Sequence, residues 1–249
     1  MNDIMEPFPL QAPAFDGSSR VVPAGNAFEW LKQGWALFAA SPGPWIAMTI
    51  VLLVVVLGMH IVPVIGMLAA NLLTPLFGAG MLSACAKAAD GETPDIRDVF
   101  AGFKHKSSDL LVVGLLYMAA MVVIVLFGVV IGGSSLAGGL MLNNPIGIGL
   151  AFGGLIFTFL LTLALSVPLL MALWFAPALV YFNNMSPREA LKASFAACLK
   201  NTTPFLVYGL IVMVLMFFAA LPVFLGFLVL VPVLAGSVYA SYRDIFVAN

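Results

Sequence analysis

A chain of 249 residues with 63% hydrophobic and only 8% charged side chains lacks the polar groups needed to cover a soluble fold of its size. Its formal net charge of −1 excludes a nucleic-acid binder driven by bulk positive charge, and two cysteines cannot build a disulfide scaffold. An integral membrane protein remains, and because its apolar runs are continuous rather than alternating it is all-α, not a β-barrel.

Residues 1–24 contain Asp3, Glu6, Asp16, four prolines and a single basic residue, Arg20. A secretory signal needs a basic start that runs directly into an apolar stretch, which this segment lacks, so it reads as a disordered tail. Residues 25–249 are expected to form one transmembrane domain. Six apolar runs in it reach the ~20 residues needed to cross ~30 Å of hydrocarbon. They are Pro44–Val64, Gly66–Ala86, Leu110–Ile131, Ile146–Phe182, Pro204–Leu221 and Val223–Tyr242, with a loop expected at 132–147. The fourth run is too long for one straight span and contains Pro168 and Pro177. It is expected as one helix kinked at Pro168 or as two half-helices.

All ten Lys and Arg residues lie in the N-terminal region, the 87–106 connection, the 188–200 segment or at Arg243. The turns around Pro63, at 132–147 and around Pro222 carry no charge. By the positive-inside rule both termini and both charged connections are cytoplasmic.

Sliding the chain along itself so that Asn26 falls on Ser186 also aligns Glu29 with Glu189, Leu31 with Leu191, Lys32 with Lys192 and Pro44-Trp45 with Pro204-Phe205. Asn26/Glu29 and Ser186/Glu189 have capping-box spacing, and Thr93-Pro94 reads as the cap of a third, weaker copy. The expected architecture is therefore three tandem units, about 26–89, 93–184 and 186–246. Each is a cytoplasmic amphipathic helix followed by a membrane hairpin. The second span of each hairpin carries a proline expected to kink it: Pro75, Pro168 and Pro232.

Three segments, GWALFAASPGPW, LWFAPALVYFNNMSPREALKASFAACLKN and SYRDIF, resemble those of uncharacterised bacterial inner-membrane proteins of the YciC-like, six-helix type. The resemblance covers roughly residues 25–246. It implies an envelope-associated protein of the bacterial inner membrane and supplies no catalytic residues.

Asn71, Thr158, Thr162 and Ser166 are candidate polar positions, for helix packing first and for substrate contact second. Asn71 lies four residues before Pro75, so its carbonyl loses the usual helical donor. Arg188, Lys192 and Lys200 are candidate contacts for anionic lipid headgroups. His60 and both cysteines, Cys85 and Cys198, read as structural. Trp30, Trp35, Trp45 and Trp174 read as an aromatic belt, and Gly149/Gly153 and Gly236/Ala240 as intramolecular packing positions. No charged residue falls in the middle of a predicted span, and no nucleophile–base pair, metal cluster or phosphate loop can be assembled. An enzyme, a cofactor and a metal are therefore not expected. The expected partners are the lipid bilayer, anionic lipids and a membrane-protein partner, not nucleic acid. The expected function is a non-enzymatic accessory or scaffold role in envelope maintenance. The alternative is a transporter or flippase-like carrier of an uncharged or lipidic substrate.

Overall fold

The computed structural model describes residue 15 and residues 17–142 and 144–247. Among these there is no strand. In chain order the helices are α1 (Asn26–Ala40), α2 (Pro42–His60), α3 (Ile65–Ala89), α4 (Ala101–Lys104) and α5 (Ser107–Met141). They continue with α6 (Pro145–Trp174), α7 (Ala176–Asn183), α8 (Pro187–Lys200), α9 (Thr202–Ala220) and α10 (Phe227–Tyr242). A 3-10 turn (Ile96–Phe100) precedes α4, and a π turn (Arg243–Val247) follows α10. Among the described residues six stretches are long and apolar enough to cross a membrane: Pro42–His60, Ile65–Ala89, Ser107–Met141, Pro145–Asn183, Thr202–Ala220 and Phe227–Val247. Each of the six expected runs maps onto one of them.

Because each hairpin goes out and returns, the charged residues described all gather at one end of the bundle, and the core sits at that end too. Trp30, Leu76, Leu110, Val113, Phe175, Leu179 and Ile245 are fully or almost fully buried in one cluster. A second cluster joins Trp45, Met48, Phe77 and Val99. Trp30 and Trp45 are thus core residues rather than members of an aromatic belt, whereas Trp35 is exposed. Toward the uncharged end the helices turn large apolar side chains outward, as along Val122–Val130 and Leu206–Phe218. In lipid this costs nothing, because hydrocarbon is as apolar as the side chains facing it.

Close backbone approach holds the packed end together. Gly34 of α1 meets α10 so tightly that an added Cβ would lie 2.2 Å from the Val233 carbonyl, and Gly236 faces Gly34 in return. Gly236 is thus a packing position. Gly149 and Gly153 are not, since a Cβ at either would meet nothing. The α5–α6 contact instead uses Gly139, Gly147 and Ala151.

The 132–147 loop is mostly helix. α5 continues through GGSSLAGGLM to Met141, where Ser134 and Ser135 bond back to the Ile131 carbonyl. Glycine is a poor helix former in water, but apart from water the backbone must satisfy itself, and packing on α6 fixes the rest. At 35 residues α5 is ~52 Å long, against ~28 Å for the 19-residue α2. The α5–α6 hairpin therefore overreaches its neighbours.

The break in the long fourth run is at Phe175, not at Pro168. Pro168 faces outward inside an unbroken α6, and Pro75 and Pro232 likewise lie within continuous helices. At Phe175 the hydroxyl of Ser194, from α8, has entered the backbone ladder. Phe175 N–H donates to Ser194 Oγ (2.9 Å), and Ser194 Oγ–H donates to the Met171 carbonyl (2.7 Å). A side chain between those two groups replaces the direct i→i−4 bond, and Pro177 two residues on removes another donor.

Two of the three expected caps differ. Ser186 caps α8 through Glu189 N–H, as expected, with Pro187 at the first position. Asn26, however, lies inside α1 and spends its amide elsewhere. In the middle segment Asp95, not Thr93, is the cap. Its carboxylate accepts from Arg97 N–H (2.8 Å), and Asp98 accepts from Asp95 N–H (2.9 Å). The segment between α3 and α5 thus begins with a 3-10 turn where the flanking segments have full amphipathic helices.

Candidate functional site

Two polar arrangements stand out, a latch at the charged end and a groove within the apolar part. Of residues 1–24, read as a disordered tail, 1–14 and 16 lie outside the described residues. Residues 17–24 are strapped across the bundle, with Val22 buried. Arg20 N–H donates to the Ile245 carbonyl (3.0 Å) and Val22 N–H to Asn201 Oδ1 (2.9 Å). Asn201 returns its amide to the Arg20 carbonyl (3.0 Å) and to Ala197 (2.9 Å). Asp244 then gathers three donors: the Arg20 guanidinium, Asn26 Nδ2 (2.7 Å) and the buried Trp30 Nε1 (2.8 Å). One carboxylate ties the strap, α1 and the end of α10 together.

The groove has a volume of about 590 Å³ and runs between the α2–α3 hairpin on one side and α6, α7 and α10 on the other. Leu52, Val56 and His60 recur every four residues and form one wall, since that spacing keeps them on one helix face. Its polar side chains cluster toward the uncharged end: His60, Asn71 and Thr74, next to Pro75. Each is anchored to its own helix. His60 Nδ1–H donates to Val56 O (2.8 Å), Asn71 Nδ2 to Met67 O (2.8 Å) and Thr74 Oγ to Ala70 O (2.8 Å). Neither Asn71 nor Thr74 re-satisfies the Asn71 carbonyl that Pro75 leaves without its helical donor. The far end is apolar, lined by Leu82, Leu173, Trp174 and Pro177. The Trp174 indole N–H is buried without a hydrogen-bond partner among the described residues.

The Thr158–Ser166 stripe is not part of this groove. Thr158 and Ser166 bond back to Gly154 and Thr162 carbonyls (2.8 Å each). Thr158 and Thr162 press against Gly132 and Gly128 of α5. Three of the candidate polar positions therefore belong to the α5–α6 hairpin, while Asn71 lines the groove. Of the kink prolines, only Pro75 lines it. Arg188 and Lys192 are exposed on α8, while Lys200 turns toward the strap, 3.4 Å from Ser19 Oγ. Cys85 and Cys198 are free and buried, and burial pushes the Cys198 thiol up to about 12, far from a reactive thiolate.

Reading residue types did not find Ser194, Asn201 or Asp244. Yet Ser194 and Asn201 fall in ALKASFAACLKN and Asp244 in SYRDIF, segments that carried the family resemblance. Polar residues in otherwise apolar, distinctive motifs were the available signal.

The fold defines a multi-pass α-helical membrane protein. The chain is 31% identical over 232 residues to a probable inner membrane protein of Burkholderia thailandensis, across 88% of this chain and 82% of that one. It belongs to the same family of inner-membrane proteins. No family model matches the sequence, and no solved structure matches it.

Proposed function

We propose that the protein is a non-enzymatic inner-membrane component with an accessory or scaffold role in envelope maintenance, its termini and charged end facing the cytoplasm. The carrying observation is the asymmetry of packing. The strap, α1, α8 and the end of α10 close into one cross-linked plate at the charged end, and the spans spread from it with apolar surfaces outward. Ten basic residues on the plate's side and none in the opposite turns support the orientation. The polar faces of α1 and α8, with Lys32, Arg188 and Lys192 exposed, suit a protein partner or anionic headgroups. The order of amphipathic helix then hairpin in α1–α3 and α8–α10 supports tandem units. The three quoted motifs support a YciC-like assignment.

Purification from native membrane in detergent-free polymer discs, with mass spectrometry of everything retained, tests this reading. A stoichiometric protein partner is the expected result. Recovery of the chain alone, with no envelope phenotype on deletion, counts against it. A second reading, a carrier of an uncharged or lipidic substrate, is favoured by one observation, the groove beside Pro75, apolar along most of its length with polar side chains at one end.

A further inference from the structure

We infer that the groove between α2, α3, α6 and α10 is a binding site for a neutral, single-chain lipid with a hydroxyl headgroup. This deepens the carrier reading in naming the ligand class, but the site stands whether its ligand is carried or merely held.

The ligand's headgroup chemistry follows from which valences remain. His60, Asn71 and Thr74 each spend a donor on a backbone carbonyl of their own helix. What each keeps includes an acceptor: Nε2 of the His60 ring across from its bonded Nδ1, Oδ1 of Asn71 and the lone pairs of Thr74 Oγ, beside the second N–H of the Asn71 amide. The Asn71 carbonyl, freed by Pro75, adds a fourth. At this end of an apolar groove the acceptors outnumber the one N–H that Asn71 keeps, which calls for a ligand that donates. No carboxylate lines the groove to pair an ammonium, and no Lys or Arg lines it to pair a phosphate. An ion there would be unpaired in a low-dielectric site, so the donor is a hydroxyl.

The shape supplies the rest. From Asn71 to Leu82 the groove follows ~17 Å of α3, close to the depth of one leaflet. Its polar end is the one nearer the tip of the α2–α3 hairpin, with His60 at the end of α2 and Asn71 and Thr74 ~9 and ~14 Å along α3 from Ile65, and its apolar end lies toward the packed core. A volume of about 590 Å³ lies within the range of small-molecule sites and accommodates one chain more readily than two.

The test uses the full-length protein in nanodiscs of zwitterionic phospholipid and compares two probes of one chain length, a monoacylglycerol and the matching fatty-acid methyl ester. Competition for a photoactivatable monoacylglycerol gives relative affinities, and peptide mapping gives the site. The expected result is preference for the monoacylglycerol by about tenfold, with crosslinks on α3 or α6. Thr74→Val and His60→Phe should each reduce that preference at least threefold, while Thr158→Val leaves it unchanged. Equal binding of the two probes overturns the proposal, because apolar partition alone then explains occupancy. So does a preference that survives both variants, or crosslinks confined to other helices. Scrambling assays in proteoliposomes separate the two ideas: tight, hydroxyl-selective binding without transport refutes the carrier reading and leaves the site standing.

Discussion

Replacing Ser194 by alanine removes one hydroxyl, strands the N–H of Phe175 and leaves the Met171 carbonyl with only the weak bond from Cys198 Sγ (3.5 Å). Phe175 and Ser194 are fully buried at the junction between α6, α7 and α8, so no water replaces the oxygen lost beside the Phe175 N–H. An unsatisfied buried backbone group costs about 1–3 kcal/mol, so Ser194→Ala should destabilise the protein by about that amount. The alternative open to the chain is to close the direct Phe175→Met171 bond. That would straighten the break and pull α7 off α8, at a packing cost of similar size. Ser166→Ala is the internal control, because its hydroxyl only duplicates a bond to Thr162 within one helix and its loss should cost less than about 0.5 kcal/mol. Reversible unfolding in mixed micelles, titrated with a denaturing detergent, measures both. Equal, small effects of the two substitutions would refute the bridging account.

At the latch, Asp244→Ala should free Trp30 Nε1, Asn26 and Arg20 at once, destabilise by about 2–3 kcal/mol and open residues 17–24 to added protease, read by limited proteolysis and N-terminal sequencing. Gly34→Ala should push α1 from α10, since its Cβ would lie 2.2 Å from the Val233 carbonyl, and lower the melting midpoint by several degrees. Gly43→Ala, whose Cβ meets nothing, should have no such effect. Native Cys85 and Cys198 should resist maleimide at pH 7 in the folded protein and react after denaturation, because both are buried and the Cys198 thiol is held protonated.

The spans were legible because apolar length over ~20 residues has one physical meaning in a chain with so few charges. The Ser186 cap was legible for a similar reason, as its partner Glu189 is local. What the sequence hid depends on distant partners. Asn26 has the spacing of a cap, yet Asp244, more than two hundred residues away, offers its amide a charged acceptor. Pro168 looks like the break, but an outward proline costs α6 one ladder bond, whereas Ser194 inserts into the ladder from another helix. GGSSLAGG reads as a loop by propensity and folds as helix because α6 packs on it. The groove was half visible: Asn71 and Pro75 stood out, but their proximity to His60 and Trp174 depends on how the hairpins are set side by side.

The central claim is that one charged, cross-linked end faces the cytoplasm while the apolar hairpins reach outward from it. With the native thiols buried, single cysteines can be introduced directly, at Leu142 on the tip of the α5–α6 hairpin and at Lys32 on the exposed face of α1. Intact spheroplasts treated with a membrane-impermeant maleimide should label Leu142→Cys from outside and Lys32→Cys only after lysis. Labelling of Lys32→Cys in intact cells, with Leu142→Cys protected until lysis, would contradict the account.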